Sequence, residues 1–264
     1  MSKKILGGLL AATLLAGAAS ARTLEITVTN EQAQGGLYLT PLLTIFHDGS
    51  FDSFDAGSAA SAGVEALAEE GDVGGVVAEV NQANADNGTS HTTAVIANPA
   101  GFGGAPVLDP GEVTTIRVDL DAATQRFFSF LSMVIPSNDT FIGNDNAQAY
   151  ELFDALGAFV FTGPIEVFAS DAWDGGTELD DGNGAAFAPP TGSPATETTD
   201  PVSGLADLDF LIGRPQAPGG TVQSASGLLA SIRITEVAPV PLPAGLPLLL
   251  AGLAGLGLLR RRKG

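Results

Sequence analysis

The sequence contains no cysteine, which excludes a disulfide framework, a zinc–thiolate cluster and a cysteine nucleophile. Histidine and the large aromatic residues that stack on sugars are also scarce, with two His, one Trp and two Tyr among 264 residues. No HExxH, G-x-S-x-G, P-loop or dinucleotide-binding motif is present. We therefore expect a protein that is not an enzyme.

Lysine is absent between residues 22 and 239, where five arginines stand against all 30 acidic residues of the chain. A body with this charge repels nucleic acid and anionic lipid headgroups and attracts cations. We expect no nucleic-acid partner. General solubility accounts for many of the acidic residues, whereas acidic clusters within turns are candidates for a discrete ion site.

The N-terminus has the pattern of a secretory signal. Lys3 and Lys4 form a short basic start, residues 5–17 are an apolar run, and residues 19–21 are small enough for cleavage. We predict a signal peptide over residues 1–21 and hence an exported protein.

The C-terminus has the layout of a membrane segment. Residues 240–259 carry no charge and are long enough to reach across a bilayer as a helix. The basic residues 260–263 that follow would stay cytoplasmic by the positive-inside rule. A permanent single-span anchor is one interpretation of this pattern.

A short motif at the start of this segment supports another interpretation. The motif precedes a hydrophobic helix predicted at residues 245–259, and it consists of Val240, Pro241, Leu242, Pro243 and Ala244. Over residues 239–264 the chain resembles the PEP-CTERM class of bacterial sorting signals, in its VPLPA variant. The resemblance implies processing by an exosortase, a Gram-negative host, and an inner-membrane precursor that later reaches the cell surface or extracellular matrix.

Residues 22–238, between these ends, have the pattern of strands separated by turn-rich loops. The chain has 34 glycines and 16 prolines, which favour turns, and alternating apolar residues favour half-buried strands. We predict one or two short helices within residues 61–80, a long loop at 171–201, and strands at 24–29, 37–47, 113–120, 127–135, 158–161, 165–169, 205–212 and 228–237. Pro41 indicates an edge or a bulge in the second strand. The pattern favours an all-β fold, an antiparallel β-sandwich, over an α/β fold.

Two acidic turns are candidates for a metal site. In one, an apolar strand stops at Pro136 and Asp139 lies at the tip of the polar turn that follows. In the other, residues 173–182 place four carboxylates between glycines. Calcium takes six to eight oxygen ligands, so two such loops meeting at one end of a sandwich could hold it. The segments lack the EF-hand pattern, and solvated acidic loops are the alternative.

These two turns also carry a family resemblance. Residues 133–139 (MVIPSND) and 173–178 (WDGGTE) resemble the spondin N-terminal domain, and residues 47–57 are similar to a stretch in its bacterial members. The resemblance covers most of residues 24–237. It implies a C2-like β-sandwich that binds calcium through Asp139, Asp174 and Glu178. Family members often have Asp at the position of Glu178, so Asp180 or Asp181 is an alternative ligand.

The resemblance implies an exported, calcium-binding adhesion or extracellular-matrix protein of a bacterial surface or biofilm. Its partners would be the exosortase, the membrane through the C-terminal helix, and an extracellular polysaccharide or matrix protein. One alternative is a hydrolase of matrix polysaccharide that uses Asp139 and Asp174 as acid and base. Another is a passive acidic envelope protein. For His47, at a strand end, we expect a structural role.

Overall fold

The computed structural model describes residues 21–98 and 105–238. The predicted signal peptide, apart from its last residue, and the predicted sorting motif, hydrophobic helix and basic tail lie outside the described residues. Within the described ranges, no helix is both long and apolar enough to cross a membrane.

The described residues form two helices and twelve strands. The helices are α1 (Ala62–Glu70) and α2 (Gly74–Asn87). The strands are β1 (Ala21–Asn30), β2 (Tyr38–Leu39), β3 (Leu42–His47), β4 (Thr92–Ile96), β5 (Val113–Asp121), β6 (Phe127–Ile135), β7 (Thr140–Gly143), β8 (Tyr150–Glu151), β9 (Pro164–Phe168), β10 (Ala172–Asp174), β11 (Ser203–Gly204) and β12 (Leu228–Glu236).

The smaller sheet has four antiparallel strands in the order β5-β1-β12-β9. In β1 the alternate residues Leu24, Ile26 and Val28 are fully buried, while the residues between them face outward. This period of two is what a strand requires when only one of its faces is covered. The predicted strands at both ends of the body are confirmed, and they pair with each other.

The larger sheet has the order β11-β10-β7-β6-β3-β4, and the short strands β2 and β8 also pair with β6. Consecutive residues of β3 point into different cores. Leu42 and Phe46 pack into the core shared with the smaller sheet, whereas Leu43 and Ile45 pack under the helices. A strand covered on both faces needs no alternation, which is why β3 and β6 are apolar nearly throughout.

The helices cover the outer face of the larger sheet. Ser61 begins α1, where its Oγ accepts the Val64 N–H at 3.2 Å. The two helices touch at Gly63 and Gly75, where a Cβ built on Gly75 would lie 2.6 Å from the Gly63 Cα. The prediction of short helices is confirmed, although α2 is longer than its apolar period indicated.

Two antiparallel sheets with a common core confirm the predicted β-sandwich. Residues 37–47 form two strands that both pair with β6, and three residues around Pro41 lie opposite two residues of β6, which is the bulge predicted there. Pro41 does not mark an edge, because β3 lies between β6 and β4. Other details of the prediction are wrong. Residues 158–161 make only an isolated bridge through Phe159. Residues 205–212 contain a single 3-10 turn whose Leu211 is buried. The predicted long loop contains the short strand β10. In residues 205–212 the apolar side chains of Leu208 and Leu211 are buried without strand pairing, whereas in residues 158–161 Phe159 and Phe161 are only partly buried.

Candidate metal centre

The two acidic turns predicted from the sequence lie side by side. After β6 the chain turns through Ser137, whose Oγ accepts the Thr140 N–H at 3.1 Å, and Asp139 immediately precedes β7. Strand β10 pairs antiparallel with β7, which places Asp174 opposite Thr140. Asp139 and Asp174 therefore lie on neighbouring strands at the same end of the sheet.

Asp139 is fully buried and only half satisfied. Its Oδ2 accepts the backbone N–H groups of Thr177 at 2.8 Å and Glu178 at 3.0 Å. Its Oδ1 is buried without a hydrogen-bond partner in the part of the chain that the structure describes. A buried carboxylate oxygen with no donor is costly, and a cation bound at this atom would remove that cost.

Three carboxylates converge at this point. One oxygen each from Asp139, Asp174 and Asp180, called here the acidic triad, lies within 4.8 Å of the others. The Gly176 N–H donates to Asp174 Oδ1 at 2.8 Å. Asp180 accepts the Asn138 N–H at 2.8 Å and the Thr140 hydroxyl at 3.1 Å. Each carboxylate is thus held in position by backbone or hydroxyl donors that carry no charge.

The electrostatics of the acidic triad favour a cation. Burial, together with the charges of Asp139 and Asp174, raises the pKa of the Asp180 carboxyl to about 6. Burial and the Asp139 charge also raise the pKa of Asp174. Among the described residues, none of the four ion pairs includes a triad carboxylate. Without a cation, protonation of Asp174 or Asp180 would lower the repulsion among the carboxylates.

Two glycines let the chain wrap around Asp139. Gly176 has φ +72°, and a Cβ there would lie 2.2 Å from the Asp200 carbonyl oxygen. A Cβ on Gly175 would lie 3.1 Å from the Asp139 carbonyl oxygen. The backbone at Gly175 and Gly176 therefore places the N–H groups of Thr177 and Glu178 beside the Asp139 carboxylate. This explains why two glycines separate Asp174 from Thr177 and the acidic residues that follow.

Asn138 organises the loop that carries the other acids. Its side-chain amide donates to Glu178 Oε2 at 3.0 Å and to the Asn183 carbonyl at 2.8 Å, while its Oδ1 accepts the Gly182 N–H at 3.0 Å. The side chain of Asn138 is fully buried. Sequence reasoning chose the neighbouring aspartate and missed this residue, although it stands within the Pro-Ser-Asn-Asp motif.

The structure brings two of the three predicted ligands into the acidic triad. Glu178 instead contributes its N–H to Asp139 and turns its carboxylate to Asn138, so its role as a ligand stays a prediction. Of the two alternatives, Asp180 lies in the triad, while Asp181 is exposed and accepts both nitrogens of Asn183. The spacing of Asp174, Glu178, Asp180 and Asp181 along the chain does not show which of them are ligands, because the loop that carries them is irregular.

The acidic triad fits a hard divalent cation. Carboxylate oxygens are the ligands that calcium and magnesium prefer, and calcium accepts irregular geometry. The orphaned Asp139 Oδ1 is the structural observation that supports such an ion. The described residues that would hold it are Asp139, Asp174 and Asp180.

His47 has the structural role expected of it. The ring is fully buried, its Nδ1 accepts the Gly49 N–H at 3.1 Å, and its Nε2 lies 3.0 Å from Ser129 Oγ. Burial lowers its pKa to about 4, with the nearby His91 adding to the effect. A neutral imidazole with both nitrogens engaged is part of the core.

Comparison with known protein families identifies the domain. The Spondin_N family model matches residues 33–204, which is more than half of the chain and includes both acidic turns. The chain belongs to the Spondin_N family. No curated protein matches it significantly. The Spondin_N match includes both helices but not β1 and β12, the paired strands that complete the smaller sheet.

Proposed function

We propose that this Spondin_N protein is an exported, calcium-binding adhesion or extracellular-matrix protein of a Gram-negative bacterial surface or biofilm. The observation that carries the proposal is the buried Asp139 Oδ1, which lacks a partner in the described chain and belongs to a triad that no ion pair of the described residues includes. Family membership supports the role, and the acidic triad supports the ion.

Calcium would hold the two acidic turns together. The turn at Asp139 and the loop at residues 174–182 repel each other through their carboxylates, and a divalent ion removes that repulsion. We expect an affinity on the order of 10⁻⁴–10⁻³ M, as in other extracellular modules. An ion of this affinity stabilises the domain outside the cell, where calcium is abundant.

A hydrolase of matrix polysaccharide is less well supported. Asp174 has the raised pKa that a general acid needs, and it lines an open pocket. Its proposed partner Asp139 is fully buried, and two N–H groups hold one of its oxygens. A carboxylate in that position does not reach a substrate, so the pair supports binding rather than catalysis.

The decisive experiment is a calcium titration of the full chain in neutral detergent, with Asp174→Asn as the test variant. We expect calcium to bind the wild type and to raise its melting temperature. Asp174→Asn should lose both effects. Without calcium the variant should melt above the wild type, because it removes one of three repelling charges. The variant should thus melt above the wild type without calcium and below it with calcium. A residue needed only for folding would lower the melting temperature in both conditions.

The matched control is Asp119→Asn, which makes the same change on the exposed face of β5. Its carboxylate accepts the Thr23 hydroxyl at 2.6 Å, and an amide oxygen can still do so. Calcium binding and its effect on melting should be unchanged in this variant. If wild type and Asp174→Asn melt alike with and without calcium, the metal centre is wrong.

The sorting proposal concerns residues 239–264. We expect the double variant Pro241→Ala/Pro243→Ala to accumulate as an unprocessed membrane precursor in the native host, visible by its mass. Pro239→Ala, just before the motif, is the matched control and should be processed normally. Normal release of the double variant would favour a permanent anchor or another protease over an exosortase.

A further inference from the structure

An open pocket of about 230 Å³ adjoins the acidic triad. Four of its lining residues are acidic, namely Asp174, Glu178, Asp180 and Asp200. Leu205 and Phe210, which are partly buried against the main core, and Leu179, which is 51% exposed, form its apolar lining. The pocket therefore combines a strongly acidic side with an apolar side.

The hydrogen-bonding groups of the pocket are almost all acceptors. Carboxylates only accept hydrogen bonds, and the hydroxyl of Thr198 is the only side-chain donor among the described residues that line the pocket. A neutral sugar presents hydroxyls that need donors as well as acceptors. A lysine ammonium has three donors and no acceptor, and its alkyl stem packs on apolar surface.

The charge of the pocket points to the same ligand. Together with Asp139 behind it, the pocket has five carboxylates. A calcium ion and the Arg214 guanidinium, which donates to the Asp180 and Phe210 carbonyls, would supply three positive charges and leave an excess of negative charge. No ion pair in residues 21–98 and 105–238 reaches any of these carboxylates. The remaining negative field attracts a cationic group and repels an anionic one.

We propose that this pocket binds a lysine side chain of a partner protein, with the ammonium against Glu178 and Asp200 and the stem against Leu205 and Phe210. The inference rests on the proposed function, because calcium would fix the loop that carries Glu178. Residues 22–239 contain no lysine, so the ligand comes from outside this domain. A basic surface segment of a matrix protein has the required chemistry.

The test is a titration of the calcium-saturated full chain with N-acetyl-lysine methylamide. Ligand-observed NMR measures binding, because the ring of Trp173, the single tryptophan, packs against Phe54 under the helices and does not line the pocket. The comparison ligands are the same compound acetylated on its ε-amine, the norleucine analogue and methyl glucoside. We expect the lysine compound to bind at least about tenfold more tightly than each of these, and to weaken as ionic strength rises.

The test variants are Asp200→Asn and Phe210→Ala. Asp200 is exposed and lies outside the acidic triad, so its substitution should leave folding unchanged. Because the Asp200 charge acts on Asp174, the calcium affinity of this variant is measured first and the probe is added at saturating calcium. We expect each variant to bind the lysine compound about tenfold more weakly, whereas Asp119→Asn binds it like the wild type.

Equal binding of the ε-acetylated compound, or tighter binding of methyl glucoside, overturns the inference. The absence of lysine binding to the calcium-bound chain also overturns it and leaves the metal centre intact. Failure of calcium itself to bind is seen before the probe is added, and it overturns the proposed function as well.

Discussion

The outer face of the smaller sheet and the acidic end of the larger sheet both carry several carboxylates, but they stabilise them differently. On the smaller sheet, Arg117 donates two hydrogen bonds to Glu25 Oε2, at 2.8 and 2.9 Å, and Arg22 lies 2.7 Å from Glu236. These acids are partly exposed to solvent and are paired with arginine. In the acidic triad the carboxylates face one another and have only uncharged donors.

This comparison separates acids that serve solubility from acids that form a site. The formal charge of the chain is −19, and that total is the same whichever way the carboxylates are arranged. Burial without a cationic partner is what raises the pKa of Asp180 and leaves an oxygen of Asp139 orphaned. The arrangement, rather than the total charge, indicates a ligand.

Disrupting the backbone that forms the acidic end should have the largest effect. We expect Gly176→Ala to cost about 3 kcal/mol of unfolding free energy, because its Cβ adds a clash with the Asp200 carbonyl to the strain of positive φ. Calcium binding should be lost as well. Denaturant unfolding and calcium titration measure the two effects.

Gly57→Ala is the matched control for that variant. Gly57 has φ +87°, but a Cβ there would meet no described atom within 4 Å. We expect a loss of about 1–2 kcal/mol from the left-handed conformation alone, with calcium binding retained. Equal losses in the two variants would show that the close packing around Gly176 does not matter.

The pH dependence of calcium stabilisation tests the electrostatics of the acidic triad. Folding raises the pKa of Asp180 from 3.8 to about 6, so the calcium-free protein loses stability as pH rises through this window. Calcium needs ionised carboxylates and binds best above it. At a calcium concentration 100 times Kd, we expect a gain of about 2.7 kcal/mol at pH 7.5 that shrinks strongly by pH 5.

Thermal melting with and without calcium at the two pH values measures this change. The variant Asp180→Asn should show no comparable growth of calcium stabilisation with pH. An equal calcium effect at pH 5 and pH 7.5 in the wild type would contradict the role of Asp180.

Glu69, near the end of α1, tests how far the electrostatic repulsion from the acidic loop at residues 174–182 extends. Burial raises the pKa of Glu69 to about 7, and repulsion from Glu178 adds to the effect. Stability from its protonation is present below pH 4.5 and is lost as pH rises through 7. Glu69→Gln should therefore raise the melting temperature at pH 8 and change little at pH 4. We expect a gain below about 1 kcal/mol because solvent screens this site.

Glu70→Gln is the control for that experiment, since Glu70 is the exposed neighbour on the same helix. It removes the same charge without removing a buried carboxylate, so it should alter melting little at either pH. Matching gains in both variants would assign the effect to net charge rather than to burial.

The smallest effect is expected on the smaller sheet. A double-mutant cycle on Glu25 and Arg117 should give a coupling of about 0.2–1 kcal/mol that declines with added salt, as is usual for exposed ion pairs. A larger coupling that resists salt would remove the contrast between the two regions.

Much of the fold could be predicted from the sequence because it depends on local patterns. Alternation located β1, β5 and β12, and the continuous apolar run located β6 to the residue. The five strands missed, β4, β7, β8, β10 and β11, are short or polar. Two of them, β4 and β7, contain threonine where an apolar residue would mark a strand. These strands are stabilised by pairing with strands elsewhere in the chain. A pattern within the strand itself therefore does not reveal them.

The sequence by itself determined the acidic body, the order of the strands along the chain, and Asp139 and Asp174 as candidate ligands through the two motifs around them. Only the tertiary structure decided that Asp180 joins them in the acidic triad and that Glu178 turns to Asn138. The positions of Asp180 and Glu178 are fixed by the register of β10 against β7 and by the hydrogen bonds between Asn138 and the irregular loop. Both are contacts between residues 30 to 45 positions apart, so no spacing along the chain encodes them.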